Sequence, residues 1–180
     1  MKIAIIAGEP SGDKLGAQLI NALMEYQTHS NKIELMGVGG INMINTGVFN
    51  SSFNMDILSI GGYGLDVLFA IPKIYYLFKK LVKQIIKFKP DVLIGIDAPS
   101  FNLKLEAAVK PYGIKIVHYV SPTIWAWRYE RIYKIKKIVD LMLCIFPMEE
   151  AIYQTENTFI ASIDKDLLQI AGAHYNFVKH

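Results

Sequence analysis

The sequence predicts an α/β protein built on a doubly wound, mostly parallel sheet. Two observations carry this. Short apolar runs at Ile3–Ala7, Ile33–Val38, Val92–Ile96, Ile114–Tyr119 and Leu141–Phe146 alternate with helical stretches, which is the pattern of successive βαβ units. Several of these runs also stop abruptly in glycine or an acid. The clearest is Val92-Leu-Ile-Gly-Ile, which ends in Asp97 and continues Ala-Pro-Ser-Phe-Asn102. A continuous apolar run reads as a strand buried on both faces, here delivering a carboxylate to its C-terminal tip. Open α/β sheets bind ligands outside the carboxyl ends of their strands. Asp97 is therefore the leading candidate for chemistry, with a helix-capping or loop aspartate as the alternative.

Taken in order, Ile3–Ala7 runs into Gly8-Glu-Pro-Ser-Gly-Asp13, a tight glycine-rich turn. Ser11 or Asp13 can cap the following helix, whose apolar side holds Leu15, Leu19, Ile20 and Leu23. Loop amides and a helix N-terminus make an anion-friendly corner. Its spacing matches neither the dinucleotide fingerprint nor the P-loop, and acidic Glu9 and Asp13 oppose a simple phosphate cradle. The second strand ends at Gly39-Gly40, a pair that permits close approach of backbone or ligand, and Ile41–Asn45 reads as a short helix. Phe49–Ile57 is ambiguous.

The stretch from Ile57 to Ile71 is apolar and rich in glycine. After Pro72, Ile74, Leu77, Phe78, Leu81, Val82, Ile85 and Ile86 follow helical spacing, with Lys73, Lys79, Lys80, Lys83 and Lys87 opposite. One reading is a surface helix with a solvated lysine face. The other is a membrane-surface element preceded by an apolar segment that meets lipid or acyl chains. A short helix from Asn102 to Lys110 stops at Pro111-Tyr-Gly113. The next strand carries His118 near its end, and the loop after it holds Trp125, Trp127 and Arg128, suited to stacking or lining a groove. Arg131, Lys134, Lys136 and Lys137 lie on a basic helix.

The bulk properties narrow the class. The chain has 180 residues, one ordinary domain, and 52% hydrophobic residues, too many for disorder. A net charge of +3 is too mild to imply nucleic acid as a partner. The single cysteine, Cys144, excludes an internal disulfide and a multi-cysteine zinc site. Its apolar surroundings read as core. The first strand is too short for a signal peptide and is followed at once by Glu9 and Asp13. The stretch 57–72 falls short of the roughly 20 apolar residues of a membrane span.

Four segments together resemble lipid-A-disaccharide synthase: Gly8-Glu-Pro-Ser-Gly-Asp13, Gly37-Val-Gly-Gly40, Lys89 to Asn102, and His118-Tyr-Val-Ser-Pro-Thr-Ile-Trp-Ala-Trp-Arg128. Phe146-Pro-Met-Glu149 is similar to the next landmark, and the resemblance covers Met1 to about Tyr153. It implies the N-terminal, Rossmann-like half of an inverting GT-B glycosyltransferase. Such an enzyme joins UDP-2,3-diacylglucosamine to the 6-hydroxyl of 2,3-diacylglucosamine 1-phosphate and needs no metal or other cofactor.

By the same resemblance Asp97 matches the family's essential acidic position and would be the catalytic general base. Glu9, Ser11, Gly12, Asp13, Asn102, Trp125, Trp127 and Arg128 line the substrate side. Ile57, Leu58, Ile60, Tyr63, Leu65, Leu68 and Phe69 meet acyl chains or the inner-membrane surface, which makes the protein cytoplasmic and peripherally membrane-bound. Ser100 departs from the pattern, where the family usually has a second aspartate. The family is about twice this long, so a donor domain, separately encoded or in another frame, would complete the site.

Residues 154–180 are expected to form a divergent tail with no domain of its own. Thr158 to Lys179 is similar to a segment of phage-type 5′-exonucleases, in which Asp164 and Asp166 would be metal-binding acids. The tail lacks room for the further carboxylates and the DNA-binding arch of a nuclease, so a strand and turn with incidental acids is the plainer reading. Gene fusion, frameshift or gene decay would each produce such a junction.

Overall fold

The computed structural model describes residues 1–28, 32–53, 55, 65–122, 130–145 and 159–162, with side chains at all of these except 65–71, 73 and 159–162. Six strands among them form one sheet: β1 (Lys2–Ala7), β2 (Glu34–Val38), β3 (Val92–Ile96), β4 (Lys115–Tyr119), β5 (Leu141–Cys144) and β6 (Phe159–Ser162). Their order is β2-β1-β3-β4-β5-β6, and every pairing is parallel. The helices are α1 (Pro10–Glu25), α2 (Ile41–Ile44), α3 (Leu65–Phe88), α4 (Pro99–Val109) and α5 (Arg131–Ile138). The apolar runs of the sequence thus become the strands of a doubly wound sheet, as expected. The tail adds β6 along the outer edge of β5.

The core is the sheet itself. Ile3, Ile5, Ile6, Leu93, Ile96 and Ile116 are wholly buried, because parallel strands are covered on both faces. On α3, Leu77, Leu81 and Ile85 are buried on the inner face, while Lys79, Lys80, Lys83 and Lys87 are exposed. The expected start of this helix is corrected. It begins at Leu65, and Pro72 lies inside it. Pro72 is exposed; on a solvent-facing side of a helix, water can serve the carbonyl that a proline leaves without its N–H.

Chain order reverses at β1, which lies between β2 and β3. Such a switch point opens a crevice between the carboxyl ends of the two strands that lead away in opposite directions, here β1 and β3. The amino edge of the sheet is stapled differently. Asp91 Oδ2 accepts from the Lys2 amide at 2.7 Å, and Asp140 Oδ2 accepts from the Ile116 amide at 2.8 Å and from the Lys110 ammonium. Burial pulls the Asp140 carboxyl upward, but the Lys110 hydrogen bond, the Ile116 amide and the charges of Lys110 and Lys115 outweigh it and hold the group below its usual range. Asp140→Ala is expected to lower stability by about 1 kcal/mol at neutral pH in urea unfolding. Because the folded-state value is depressed, this contribution is full above the ordinary value of 3.8 and is lost as pH falls below it. The gap between parent and variant should therefore close in acid.

Candidate active site

The β3 strand delivers Asp97 to the crevice through an uncommon backbone turn. Asp97 has φ 54°, and Ala98, the N-cap of α4, has φ 43° and ψ 54°. Two successive non-glycine residues in the left-handed region are strained, and such strain persists only where the surroundings enforce it. Here the Asp97 amide donates to the Tyr119 carbonyl at 2.9 Å, extending the β3–β4 ladder by one bond. Asp97 Oδ1 accepts from the Ala98 amide at 2.9 Å. Val120, after β4, also has positive φ, at 76°, so strained backbone gathers at the carboxyl edge of the sheet. Burial pushes the Tyr119 phenol upward, keeping it protonated there.

The partner across the crevice comes from β1. Ser11, exposed on the first turn of α1, donates its hydroxyl to Asp97 Oδ2 at 2.9 Å. This bond joins the tips of β1 and β3 at the switch point. Asp97 is half-buried, and among the described residues no cation forms an ion pair with it. A carboxylate offers about four acceptor positions; with the serine hydroxyl and one amide bound, it can still accept a proton from a substrate hydroxyl. Glu9, also exposed, sits at the mouth as the N-cap of α1 but makes no side-chain capping bond.

Three of the residues expected on the substrate side hold the framework of the site. Asp13 is buried, and it caps α2 rather than its own helix. Its Oδ1 accepts from the amides of Gly40 at 2.8 Å and Met43 at 3.1 Å. Its Oδ2 accepts from the Asn42 amide at 2.9 Å and the Asn42 side chain at 2.7 Å. The orphan donors of a short helix are thereby satisfied by a neighbouring helix. Asp13→Ala would leave several buried donors unserved and is expected to cost about 3 kcal/mol or more, read from the urea midpoint. Gly12 is buried, and a Cβ there would stand 3.1 Å from the Ile96 carbonyl, so it lets α1 press onto the β3 tip. Asn102 is wholly buried. Its side-chain amide points at the carbonyls of Asp97 (2.8 Å), Ile96 (3.1 Å) and Ile6 (3.3 Å), and so ties α4 to the tips of β1 and β3.

Trp125, Trp127, Arg128, Ile57, Leu58, Ile60, Tyr63, Asp164 and Asp166 lie outside the described residues. Leu65, Leu68 and Phe69 fall in the first turns of α3. Ser100 is exposed on the first turn of α4. Among the described residues no three histidine, cysteine or acidic side chains converge as metal ligands, and no helix is long and apolar enough to cross a membrane. One polar pair escaped sequence reasoning. His118 on β4 and Glu106 on α4 meet in the interior at 2.7 Å, both with no exposed side-chain surface. The available signal was Gly95, the one residue in β3 small enough to leave room beneath an inward-facing acid on the next helix.

Comparison with known proteins places this arrangement. "Lipid-A-disaccharide synthase 2" of Legionella pneumophila (strain Lens) is 45% identical over 172 residues, covering 94% of this chain and 43% of that protein. "Lipid-A-disaccharide synthase" of Chromobacterium violaceum is 46% identical over 154 residues, covering 86% of this chain and 39% of that protein. The chain thus spans less than half the length of the curated relatives it matches. Among solved structures, the UDP-GlcNAc 2-epimerase of Methanocaldococcus jannaschii superposes with a TM-score of 0.58 at 17% identity, covering 89% of this chain and 45% of that one. The corresponding epimerase of Neisseria meningitidis, bound to UDP-GlcNAc, gives 0.51 at 14% identity, with the same coverage. These two likenesses are of fold, that of the GT-B type. The sequence model described as lipid-A-disaccharide synthetase matches residues 3–162, running past Tyr153 and through β6, and on that match, over a sheet whose switch point joins Ser11 to Asp97, the chain belongs to the lipid-A-disaccharide synthase family.

Proposed function

We propose that this chain forms the acceptor side of a lipid A disaccharide synthase, with Asp97 as general base. The observation that carries the reading is the half-buried Asp97 carboxylate at the β3 tip, held by the Ser11 hydroxyl across the switch point. In the proposed step the 6-hydroxyl of 2,3-diacylglucosamine 1-phosphate attacks the anomeric carbon of UDP-2,3-diacylglucosamine. Asp97 takes the hydroxyl proton as the new C–O bond forms, and the bond to the UDP oxygen breaks with its electron pair, inverting the centre. A positioned carboxylate helps most where a neutral hydroxyl must become a nucleophile. Ser11 fixes one carboxylate oxygen and the Ala98 amide the other, so the base is oriented before substrate arrives. Glu9 and the loop bearing Trp125, Trp127 and Arg128 are assigned to the walls of the acceptor cleft.

We also place the protein at the cytoplasmic face of the inner membrane, held peripherally. Support comes from α3, whose exposed Lys79, Lys80, Lys83 and Lys87 would face anionic lipid beside exposed Tyr75 and Tyr76. Its first turns and the preceding Ile57–Tyr63 stretch supply the acyl contact.

The test is UDP release by the chain joined to the C-terminal part of the Legionella relative. Turnover is expected with both acylated sugars present and not with an acceptor lacking its 6-hydroxyl. A fusion that binds neither sugar in micelles would sink the reading. One that binds the acceptor without releasing UDP would leave a binding module and remove the base.

A further inference from the structure

We propose that Glu106 and His118 form a buried brace that fixes the position of α4 on the sheet and, through Asn102, holds Asp97 within reach of Ser11. Asn102 and Glu106 lie one turn apart on the inner face of α4, and both are wholly buried. Both stand over the same strand residue. A Cβ at Gly95 would collide with Glu106 Oε1 and come within 3.2 Å of Asn102 Cβ. Gly95 is also the residue that β4 sets beside His118. The brace therefore links α4 to β4 at 2.7 Å, and one turn nearer the crevice Asn102 links α4 to β1, β3 and the Asp97 carbonyl.

A buried polar pair is weak evidence of added stability. Neither side chain has any exposed surface. Glu106 Oε2, His118 Nε2 and Asn102 Oδ1 are all buried without a hydrogen-bond partner among the described residues. Well-packed apolar residues of similar volume often do as well as, or better than, a buried polar pair. What the pair supplies is geometry: an apolar helix face can slide or rotate on a sheet with little penalty, whereas a buried hydrogen bond holds in one register. That register matters at the β3 tip, where two left-handed residues have to be held. Asn102 can bond the Asp97 carbonyl only if α4 stands at the observed height. Glu106 and His118 are positioning residues; they act on the carboxylate through Asn102.

The experiment is a double-mutant cycle read by the carboxyl ¹³C resonance of Asp97 in the full chain at fixed pH. S11A removes the hydroxyl partner and is expected to move that resonance in the parent. In E106M/H118L, which replaces the brace with apolar side chains, the same S11A change should move it by less than about a fifth as much, because Asp97 and Ser11 are no longer held together. E106Q keeps the shape and an acceptor oxygen, and should restore the parental response. An equal S11A response in the parent and in E106M/H118L would overturn the proposal, since a direct electrostatic effect of removing the pair would shift both arms alike. Should E106M/H118L fail to fold, E106M is read in the same cycle. If that also fails while E106Q folds, the pair carries the fold itself and the positioning role is lost. The inference rests on Asp97 as the functional carboxylate, and its readout needs no turnover. The brace can therefore fail while the base stands, and an active D97N enzyme would remove the base with the brace still measured.

Discussion

Asp97→Asn is expected to cut turnover of the joined enzyme by about 10²–10⁴-fold, the range over which a positioned general base contributes. The substitution is chosen for the backbone. Asp97 has φ 54°, a conformation that asparagine and aspartate adopt more readily than other side chains. Alanine would add about 1 kcal/mol of strain to the loss of the carboxylate and blur the reading. Asparagine matches the carboxylate in size; with its oxygen accepting from the Ala98 amide, its NH2 faces the Ser11 hydroxyl oxygen, which can accept instead of donate, so the fold and its melting temperature should hold. It loses the charge and the basicity. The loss should fall on kcat with KM little changed, because the ground-state hydroxyl can still be bound while the proton has nowhere to go. Steady-state UDP release across acceptor concentrations checks this. Activity within about threefold of the parent would remove Asp97 from the chemistry, since a base is worth far more than that.

Asp97 was legible in the sequence because the signal is local: an apolar run long enough for a buried strand, then an acid. The strands were legible for the same reason, including β6, whose Phe-Ile-Ala-Ser run lies in the tail. The start of α3 was not. Proline inside a helical pattern normally ends it, and nothing in the local sequence shows that Pro72 faces solvent. The roles of Asp13 and Asn102 were hidden differently. Each side chain bonds main-chain groups far along the sequence: Asp13 to the amides of Gly40 to Met43, Asn102 to the carbonyl of Ile6. Main-chain groups carry no sequence signature, so a residue that serves them looks like a residue that serves a ligand. The family resemblance assigns both to the substrate side; in the fold both are buried and bonded to main chain. Ser11 and Glu9, two neighbours on the same turn, remain at the surface where a substrate can meet them.

Gly37→Ala is expected to cost more than about 4 kcal/mol, the exceptional end of the single-mutant range. Gly37 has φ 155°, and a Cβ there would fall onto the main-chain carbonyl of Ile5, its partner in the β1–β2 ladder. Main chain in a central strand cannot step aside as a side chain can, because Ile5 is also paired to Ile94 of β3. Gly47 supplies the control. Its φ is 75°, and a Cβ there meets nothing within 4 Å, so Gly47→Ala should cost only the conformational penalty of about 1 kcal/mol.

The one route by which Gly37→Ala could be relieved is movement of β2, an edge strand. Two hydrogen bonds at and just beyond the glycine oppose that route. The Gly37 carbonyl accepts from the Ser52 amide at 2.7 Å, and the following Gly40 amide is held by buried Asp13. Moving β2 would thus pull α2 from α1 and disturb the turn that presents Ser11. Urea unfolding of the two variants side by side decides the matter. A Gly37→Ala midpoint close to that of Gly47→Ala would show that the edge strand yields and that Asp13 does not anchor it. A large gap, with Asp13→Ala narrowing it by letting β2 relax, would show that the strand edge and the Ser11 turn are held as one unit.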